Sequence, residues 1–192
     1  MKTFAELLPL IRQRLETNGR HHRFRHVEGV IDTAVLLAQA HGVDVEKARI
    51  AALLHDSTKL DDPAENRRRI ALRYGEGEAD RWPPQLWHGL AAAQYAKAEL
   101  GIDDADILNA IENHSAGRPG MSKLEKIIFV ADYIEPYRKY DNASIRTAAF
   151  ADLDRGVALV LQETDRILAE KGWARAERGD AAWAEYRRLL EE

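Results

Sequence analysis

Three segments of the sequence place ionisable side chains where an amphipathic helix would normally be apolar or unremarkable. In LLHDSTKL, His55 and Asp56 end a run that can only be core, and in KIIFVADYIEP, Asp132 lies on the apolar face of a helix. In RFRHVEGV, His26 sits at the edge of a buried face near a helix start. Burying a carboxylate alone is costly, so each aspartate needs a partner.

Together these side chains supply two imidazoles and two carboxylates, a mixed set suited to iron, manganese, zinc or another divalent ion. Neighbours on a helix point about 100° apart, so His55 and Asp56 can reach one ion only in a cleft between helices. Each residue also has a structural alternative: a lone His26 could be a satisfied core histidine, and a lone Asp132 could be salt-bridged. The presence of all four side chains, on three separate helices of one domain, favours a metal site over four independent structural roles.

Two more histidines have positions suited to a cleft. His88 in QLWHGLA and His114 in IENHSAG fall at or near predicted helix ends, where a cleft-facing side chain is easy to provide. Arg118, in the turn AGRPGM, is a candidate phosphate contact because guanidinium presents a planar fork to phosphate oxygens. A solvated loop charge is an equally good interpretation of Arg118.

Other cationic residues are left out of the site. Three consecutive arginines on a helix point to different sides and are expected to form a solvated face, and three further histidines lack a companion spacing. These residues are Arg67, Arg68, Arg69, His21, His22 and His41.

The elements that must position these residues are helices, because helical periodicity recurs along the whole chain without sustained strand-like alternation. Thr3 with Glu6 and Ser122 with Glu125 have capping-box spacing, and Asp44 caps a third helix. Helices are expected at about 86–100 and 104–113, and two amphipathic helices should finish the chain, the last at about 173–190. The irregular segment GEGEADRWPP could border the cleft.

Length and composition limit the class of protein. The 192 residues fit one domain, spanning 1–192, and a net charge of −4 gives no reason to expect a nucleic-acid surface. The absence of cysteine removes disulfides and thiolate nucleophiles. Neither a signal peptide nor a membrane span is evident, so we expect a cytoplasmic protein without a membrane partner.

The order of a lone histidine, an HD doublet, two spaced histidines and a later aspartate resembles the HD-domain superfamily of metal-dependent phosphohydrolases. The strings RFRHVEGV, LLHDSTK and HSAGRPGMSKLEKIIFVADYIEPYR resemble the YqeK family of symmetrical bis(5'-nucleosyl)-tetraphosphatases. The resemblance covers about residues 20–170. Ser57 and Thr58 depart from the aromatic residue and alanine often found before the lysine, whereas Lys59 is retained.

The resemblance implies an all-α, single-domain HD-type helical bundle with a metal site in a central cleft; the helix at about 173–190 should pack on the motif-bearing core. It implies hydrolysis of diadenosine tetraphosphate, a small-molecule substrate, into two ADP by metal-bound hydroxide, with iron as the native metal. By position, the metal ligands would be His26, His55, Asp56 and Asp132. The residues of the catalytic step would be Lys59, His88 and His114.

Substrate contacts are implied for further residues of the same cleft. Arg23 and Arg138 match family positions that contact the nucleotide. His88 and His114 would face the phosphates, or complete a second metal site with Asp56 as a bridge. Carried over in full, the substrate-binding set is Arg23, Asp56, Lys59, His88, His114, Asp132 and Arg138.

Several alternatives stay open at this stage. The ligand set suits iron and manganese alike, and either His88 or His114 could protonate the departing ADP. An HD-type phosphohydrolase for other nucleotides would carry the same ligands, and a nucleotide-sensing module without activity is a second alternative. A homodimer is also open, since exposed Trp or Leu on the terminal helices could support one.

Overall fold

A computed structural model describes residues 2–16 and 21–191, except for the side chains of His21 and His22, and within this part of the chain the structure is helical with no strand. The described residues form a single helical domain. The helices are α1 (Phe4–Glu16), α2 (His21–His41), α3 (Val45–Leu54), α4 (Pro63–Tyr74), α5 (Trp87–Ala98), α6 (Ala105–Asn113), α7 (Lys123–Ile134), α8 (Ala143–Ala151), α9 (Leu153–Glu170) and α10 (Glu177–Tyr186).

Helix starts follow the capping signals of the sequence. The Asp44 side chain accepts a hydrogen bond from the Lys47 amide at the start of α3. Ser122 and Glu125 form a reciprocal capping box at the start of α7. Such caps satisfy backbone amides that the first helical turn leaves without partners.

The core lies where α2, α3, α6 and α7 pack together. Beyond its first turn, helix α3 is buried from Ala48 to Leu54, apart from Arg49. A helical segment that is apolar on every side is stable only when other helices surround it. Because the end of α3 lies in the interior, the two residues that follow it, His55 and Asp56, are buried as well.

The C-terminal part differs from the sequence-based expectation. Three helices follow α7 instead of two, because Asp152 ends α8 and its side chain caps the first turn of α9. Helix α10 begins at Glu177 and is followed by a 3₁₀ turn over Arg187–Leu190, so the helix expected from about residue 173 starts four residues later. It packs on α9.

The irregular segment between α4 and α5 contains two short 3₁₀ turns, Glu78–Arg81 and Pro84–Leu86. The Trp87 indole N–H donates to the carbonyls of Ala79 and Trp82 and so fastens the segment to the start of α5. Among the described helices, none has both the length and the apolar character that crossing a membrane would require.

Candidate active site

The four residues expected to bind metal converge from three helices. His26 comes from α2, His55 and Asp56 follow α3, and Asp132 comes from the last turns of α7. His26 Nε2 lies 3.1 Å from Asp132 Oδ1 and 3.8 Å from Asp56 Oδ2. His55 Nε2 lies 3.8 Å from Asp56 Oδ2 and 4.0 Å from Asp132 Oδ1. These four side chains form what we call the first cluster.

A second cluster adjoins the first. His88 Nε2, at the start of α5, lies 3.1 Å from His114 Nε2, which follows α6. The Ser115 hydroxyl lies 3.1 Å and 2.9 Å from these two nitrogens, and Lys59 Nζ lies 3.0 Å from His88 Nε2. Gly89 permits this approach, since a Cβ there would stand 3.3 Å from the His114 ring.

Asp56 connects the two clusters. Its Oδ2 faces His26 and His55, while its Oδ1 lies 3.3 Å from His88 Nε2 and 3.8 Å from His114 Nε2. Burial alone would raise the pKa of this carboxyl, but the adjacent imidazoles of His55 and His88 hold it well below its usual value. Asp56 is therefore a buried carboxylate that offers one oxygen to each cluster.

All four histidines turn the same ring nitrogen inward. The Nδ1 atoms of His55, His88 and His114 lie 2.6, 2.9 and 2.7 Å from the carbonyl oxygens three residues earlier in the chain. A carbonyl can only accept, so Nδ1 donates and Nε2 keeps its lone pair toward the cluster. The Nδ1 of His26 lies 3.0 Å from a carboxylate oxygen of Glu135 instead.

This arrangement suits a cation. In the neutral forms of His88 and His114, both lone pairs point into a 3.1 Å gap, and burial lowers the pKa of His114 to about 3. His55 is also kept neutral, since burial lowers its pKa. Two groups could hold a metal ion: His26, His55 and Asp56, and Asp56, His88 and His114.

Positive side chains cover the carboxylates of the first cluster. Arg23 Nη1 lies 3.0 Å from Asp56 Oδ2, and the Arg138 guanidinium forms an ion pair with Asp132. Arg138 also donates to the Asp132 carbonyl oxygen at 2.7 and 2.9 Å. The Nε of Arg23 is buried and has no hydrogen-bond partner, which leaves one donor of that side chain unused.

The comparison with known families agrees with this geometry. The HD domain family matches residues 23–137, which contain both clusters. The chain belongs to the HD family.

Relatives within the HD family cover most of the chain. It is 41% identical over 151 residues to the symmetrical bis(5'-nucleosyl)-tetraphosphatase of Halalkalibacterium halodurans, covering 78% of this chain and 81% of the relative. It is 38% identical over 167 residues to the enzyme of the same name from Bacillus subtilis, and this match covers 86% of this chain and 88% of the relative. Within the HD family, the chain therefore groups with these tetraphosphatases.

A solved HD structure matches the whole fold. The crystal structure of an HD superfamily hydrolase from Clostridium acetobutylicum, described as involved in NAD metabolism, superposes with a TM-score of 0.87. It is 36% identical in sequence, and the match covers 100% of both chains. The all-α HD fold expected from the sequence is thus confirmed.

Two residues that the sequence analysis did not single out belong to this HD site. Glu135 accepts from His26 across 109 positions of sequence, and Ser115 lies between His88 and His114. The only local signals are the dipeptides HS and EP, which are too common to indicate a site. The loop residue Thr58 is also buried, and its hydroxyl donates to the His88 carbonyl at 2.9 Å.

Other candidates lie away from the clusters or are paired elsewhere. Arg118 forms a bidentate ion pair with Glu125 at 2.6 and 2.7 Å, so the structure gives its charge a partner other than phosphate. Arg69 is buried and pairs with Asp61, contrary to the solvated face expected for it, whereas Arg67 pairs with Asp80 on the surface. His41 Nε2 lies 2.8 Å from the Ala149 carbonyl oxygen. The side chains of His21 and His22 lie outside the described residues.

Proposed function

We propose that this chain hydrolyses diadenosine tetraphosphate symmetrically into two molecules of ADP, using a divalent metal ion that is natively iron. The observation that carries the proposal is the pair of buried histidine clusters joined by Asp56, at the positions that match the HD family. The relatives from Halalkalibacterium halodurans and Bacillus subtilis, both symmetrical tetraphosphatases by name, support the substrate and the symmetrical position of cleavage.

In this proposal His26, His55, Asp56 and Asp132 hold the metal ion. When bound there, a divalent ion supplies positive charge toward phosphoryl oxygens and lowers the pKa of bound water. Imidazole and carboxylate ligands suit iron and manganese alike. The choice of iron is therefore tested by metal content after purification without added metal, and by loading the same protein with manganese.

The second cluster would act on the phosphates. A tetraphosphate is heavily anionic, so cleavage needs cationic and donor groups that contact the phosphoryl oxygens and the leaving group. Lys59 can supply positive charge, and His88 and Ser115 can supply hydrogen bonds. The three side chains lie together, since Lys59 Nζ is 3.0 Å and the Ser115 hydroxyl 3.1 Å from His88 Nε2. A second metal ion between Asp56, His88 and His114 is the alternative, and metal stoichiometry separates the two.

We assign the proton donated to the departing ADP to His88. Symmetrical cleavage requires water to reach the second phosphorus from one adenosine, so that the other ADP leaves as an oxyanion. His114 is a poor donor because burial lowers its pKa to about 3, so that its inward nitrogen carries no proton near neutral pH. His88 lies closer to Asp56 Oδ1 and also contacts Lys59.

Arg23 and Arg138 are suited to contact the substrate. Both now neutralise ligand carboxylates, which a metal ion would neutralise in their place. Each guanidinium presents several donors in a plane, a geometry that matches phosphate oxygens. The buried, unpaired Nε of Arg23 is a further donor available to a phosphate.

A cavity beside the second cluster has room for a nucleoside. Its volume is about 570 Å³, within the range of small-molecule sites. Ser115 and Gln85 form the wall nearest His88, and Leu168 and Trp173 contribute an apolar wall. A nucleoside in this cavity would be separated from the clusters by only a short polyphosphate, as the proposed substrate requires.

The proposal is tested by the products that metal-loaded protein releases from a panel of nucleotides. We expect diadenosine tetraphosphate to yield ADP alone, with far slower turnover of mononucleotides, deoxynucleotides and guanosine alarmones. The double variant His55→Ala, Asp56→Ala should be inactive under the same conditions. Faster hydrolysis of a mononucleotide or alarmone would assign a different substrate, and absence of turnover with every divalent metal would favour a sensing role.

A further inference from the structure

The four inward-facing histidines differ in what holds the outer nitrogen of the ring. For His55, His88 and His114 the partner is a neutral backbone carbonyl three residues earlier, which any helical or turn backbone can provide. For His26 the partner is the carboxylate of Glu135, from a distant part of the chain. His26 is thus the one histidine of the clusters whose orientation depends on another side chain.

Glu135 is built to hold this position. It is only 1% exposed, and both of its oxygens are engaged: Oε1 lies 3.0 Å from His26 Nδ1, and Oε2 accepts from the Tyr137 amide at 2.6 Å. Arg138 Nε lies 3.8 Å from Oε1 and partly balances the buried charge. A carboxylate held by several donors keeps its geometry better than one free to rotate.

The local sequence explains how Glu135 reaches α2. Pro136 disfavours helical backbone at the preceding residue, and Glu135 has φ −59° and ψ 149°, which is extended. The chain therefore leaves α7 at Ile134 and turns the Glu135 side chain toward His26. Asp132, three residues earlier, contacts the other nitrogen of the same ring at 3.1 Å.

Gly29 clears the space that Glu135 occupies. It lies on α2 three residues after His26, and a Cβ at this position would stand 2.5 Å from Glu135 Oε2 and 2.9 Å from the Tyr137 ring. Its backbone is helical and has no positive φ, so a turn does not require glycine here. The close approach of the Glu135 carboxylate gives the physical reason for glycine at position 29.

We propose that Glu135 is a positioning residue for metal binding, which fixes the His26 ring with Nε2 toward the first cluster and strengthens it as a ligand, and that Gly29 makes this contact possible. The inference rests on the proposed metal site. A carboxylate behind a metal-binding imidazole fixes the tautomer and increases the basicity of the inward nitrogen. Glu135 itself contacts neither the metal nor the substrate in this account.

The test is the affinity of the metal-stripped protein for Mn²⁺, measured by isothermal titration calorimetry without nucleotide. Loss of such a partner typically weakens metal binding by about 10- to 100-fold. We expect Glu135→Ala to fall in this range. Glu135→Gln should lose less, because its amide oxygen can still accept from His26 Nδ1–H, and Gly29→Ala should weaken binding with Glu135 still present.

Glu28→Gln is the matched control. Glu28 is a carboxylate two residues from His26 on the same helix, but it pairs with Arg12 on the surface. Glu28→Gln removes one negative charge, as Glu135→Gln does, but changes no contact of the His26 ring. The Mn²⁺ affinity of this variant should therefore equal that of the original protein. Circular dichroism of each metal-free variant establishes that it is folded, and Glu135→Gln, nearly identical in shape, is the variant expected to remain so.

The outcomes separate this inference from the proposed function. If Glu135→Ala and Gly29→Ala are folded and bind Mn²⁺ as tightly as the original chain, or if Glu135→Gln binds it more weakly than Glu135→Ala, the positioning role is wrong while the metal site stands. An equal loss in Glu28→Gln would also overturn it, since charge alone would then explain the effect. If the original chain binds no Mn²⁺, the metal site itself fails. Hydrolysis of diadenosine tetraphosphate is not needed for any of these results.

Discussion

At the residue scale, Asp56 is the side chain on which both clusters depend. Each of its oxygens faces a different pair of histidines, and Asp56→Asn would keep its shape while removing the negative charge. We expect this variant to lower kcat/KM by at least about 100-fold, beyond the loss typical of an outer partner of a metal ligand. Steady-state kinetics measure the loss of kcat/KM, and mass spectrometry of the same preparation measures its metal content.

Asp132→Asn is the natural comparison for Asp56→Asn. Of the four histidines, Asp132 lies close to His26 and His55 alone, so its loss should weaken metal binding in the first cluster and leave the second cluster intact. If Asp56→Asn kept full metal content and activity, Asp56 would not bridge the two clusters as described.

The buried His114 makes stability depend on pH. Burial lowers its pKa in the folded protein from 6.5 to about 3. Between these values the unfolded chain binds a proton that the folded protein does not. The free energy of unfolding therefore falls as pH is lowered through this window, at most by about 1.4 kcal/mol per pH unit for one group.

The check is urea unfolding of the metal-free protein at about pH 7 and about pH 5. His114→Gln, which cannot titrate, should lose less stability on acidification than the original chain. A pH dependence that is the same in both proteins would mean that His114 is already protonated in the fold.

The sequence predicts the residues of the first cluster better than it predicts the residues that support them. Asp56 and Asp132 are conspicuous because a carboxylate interrupts an apolar pattern that is visible within one helix. Glu135 and Ser115 cannot be recognised in this way. Glu135 contacts His26 and Ser115 contacts His88, each from a distant part of the chain, and neither contact leaves a local pattern in the sequence. Partners far apart in the chain cannot be identified from local periodicity.

At the element scale, the crossing of α8 and α9 depends on a close backbone approach. A Cβ on Gly156 would stand 2.6 Å from the Ala149 Cβ and 2.8 Å from its Cα, and neither atom is the end of a flexible side chain. We expect Gly156→Ala to destabilise the fold by about 1 to 3 kcal/mol, the usual cost of overpacking. Urea unfolding measures it.

A control for Gly156→Ala is the activity at a temperature where the variant is folded. The crossing lies outside both clusters, so kcat should then equal that of the original protein. Unchanged stability would show that α8 and α9 can separate without cost, contrary to the packing described.

Helix caps and helix spans were largely predictable, since Asp44, Ser122 and Glu125 signal their own hydrogen bonds locally. The division between α8 and α9 was missed because no Gly or Pro separates them. Asp152 is the signal that could have revealed the break, since it caps α9 in the usual way. The sequence has helical periodicity both before and after Asp152, so periodicity alone does not show that one helix ends and another begins there.

At the scale of the whole molecule, the C-terminal segment completes the surroundings of the clusters. The turn after α9, from Gly172 to Ala176, lines the 570 Å³ cavity beside Ser115 together with Pro83, Gln85 and Leu86. Trp173 is 52% exposed, so its ring is accessible to a planar base. Regions far apart in sequence thus meet at the site.

Trp173→Ala tests whether this cavity holds a nucleoside. Stacking of a base on an aromatic ring is worth about 1 to 3 kcal/mol, so KM for diadenosine tetraphosphate should rise by roughly 10-fold with little change in kcat. Trp173→Phe should retain much of the affinity. Equal KM values in all three proteins would place the nucleoside elsewhere.

In the proposed reaction, the two clusters direct water to one of the two inner phosphorus atoms of the substrate. This step can be followed by hydrolysing diadenosine tetraphosphate in ¹⁸O-labelled water and resolving the nucleotides by mass spectrometry. We expect ADP as the sole product, with one ¹⁸O atom on the terminal phosphate of one ADP in each pair. Formation of ATP and AMP, or of ADP without label, would show that water attacks elsewhere and would overturn the proposed reaction.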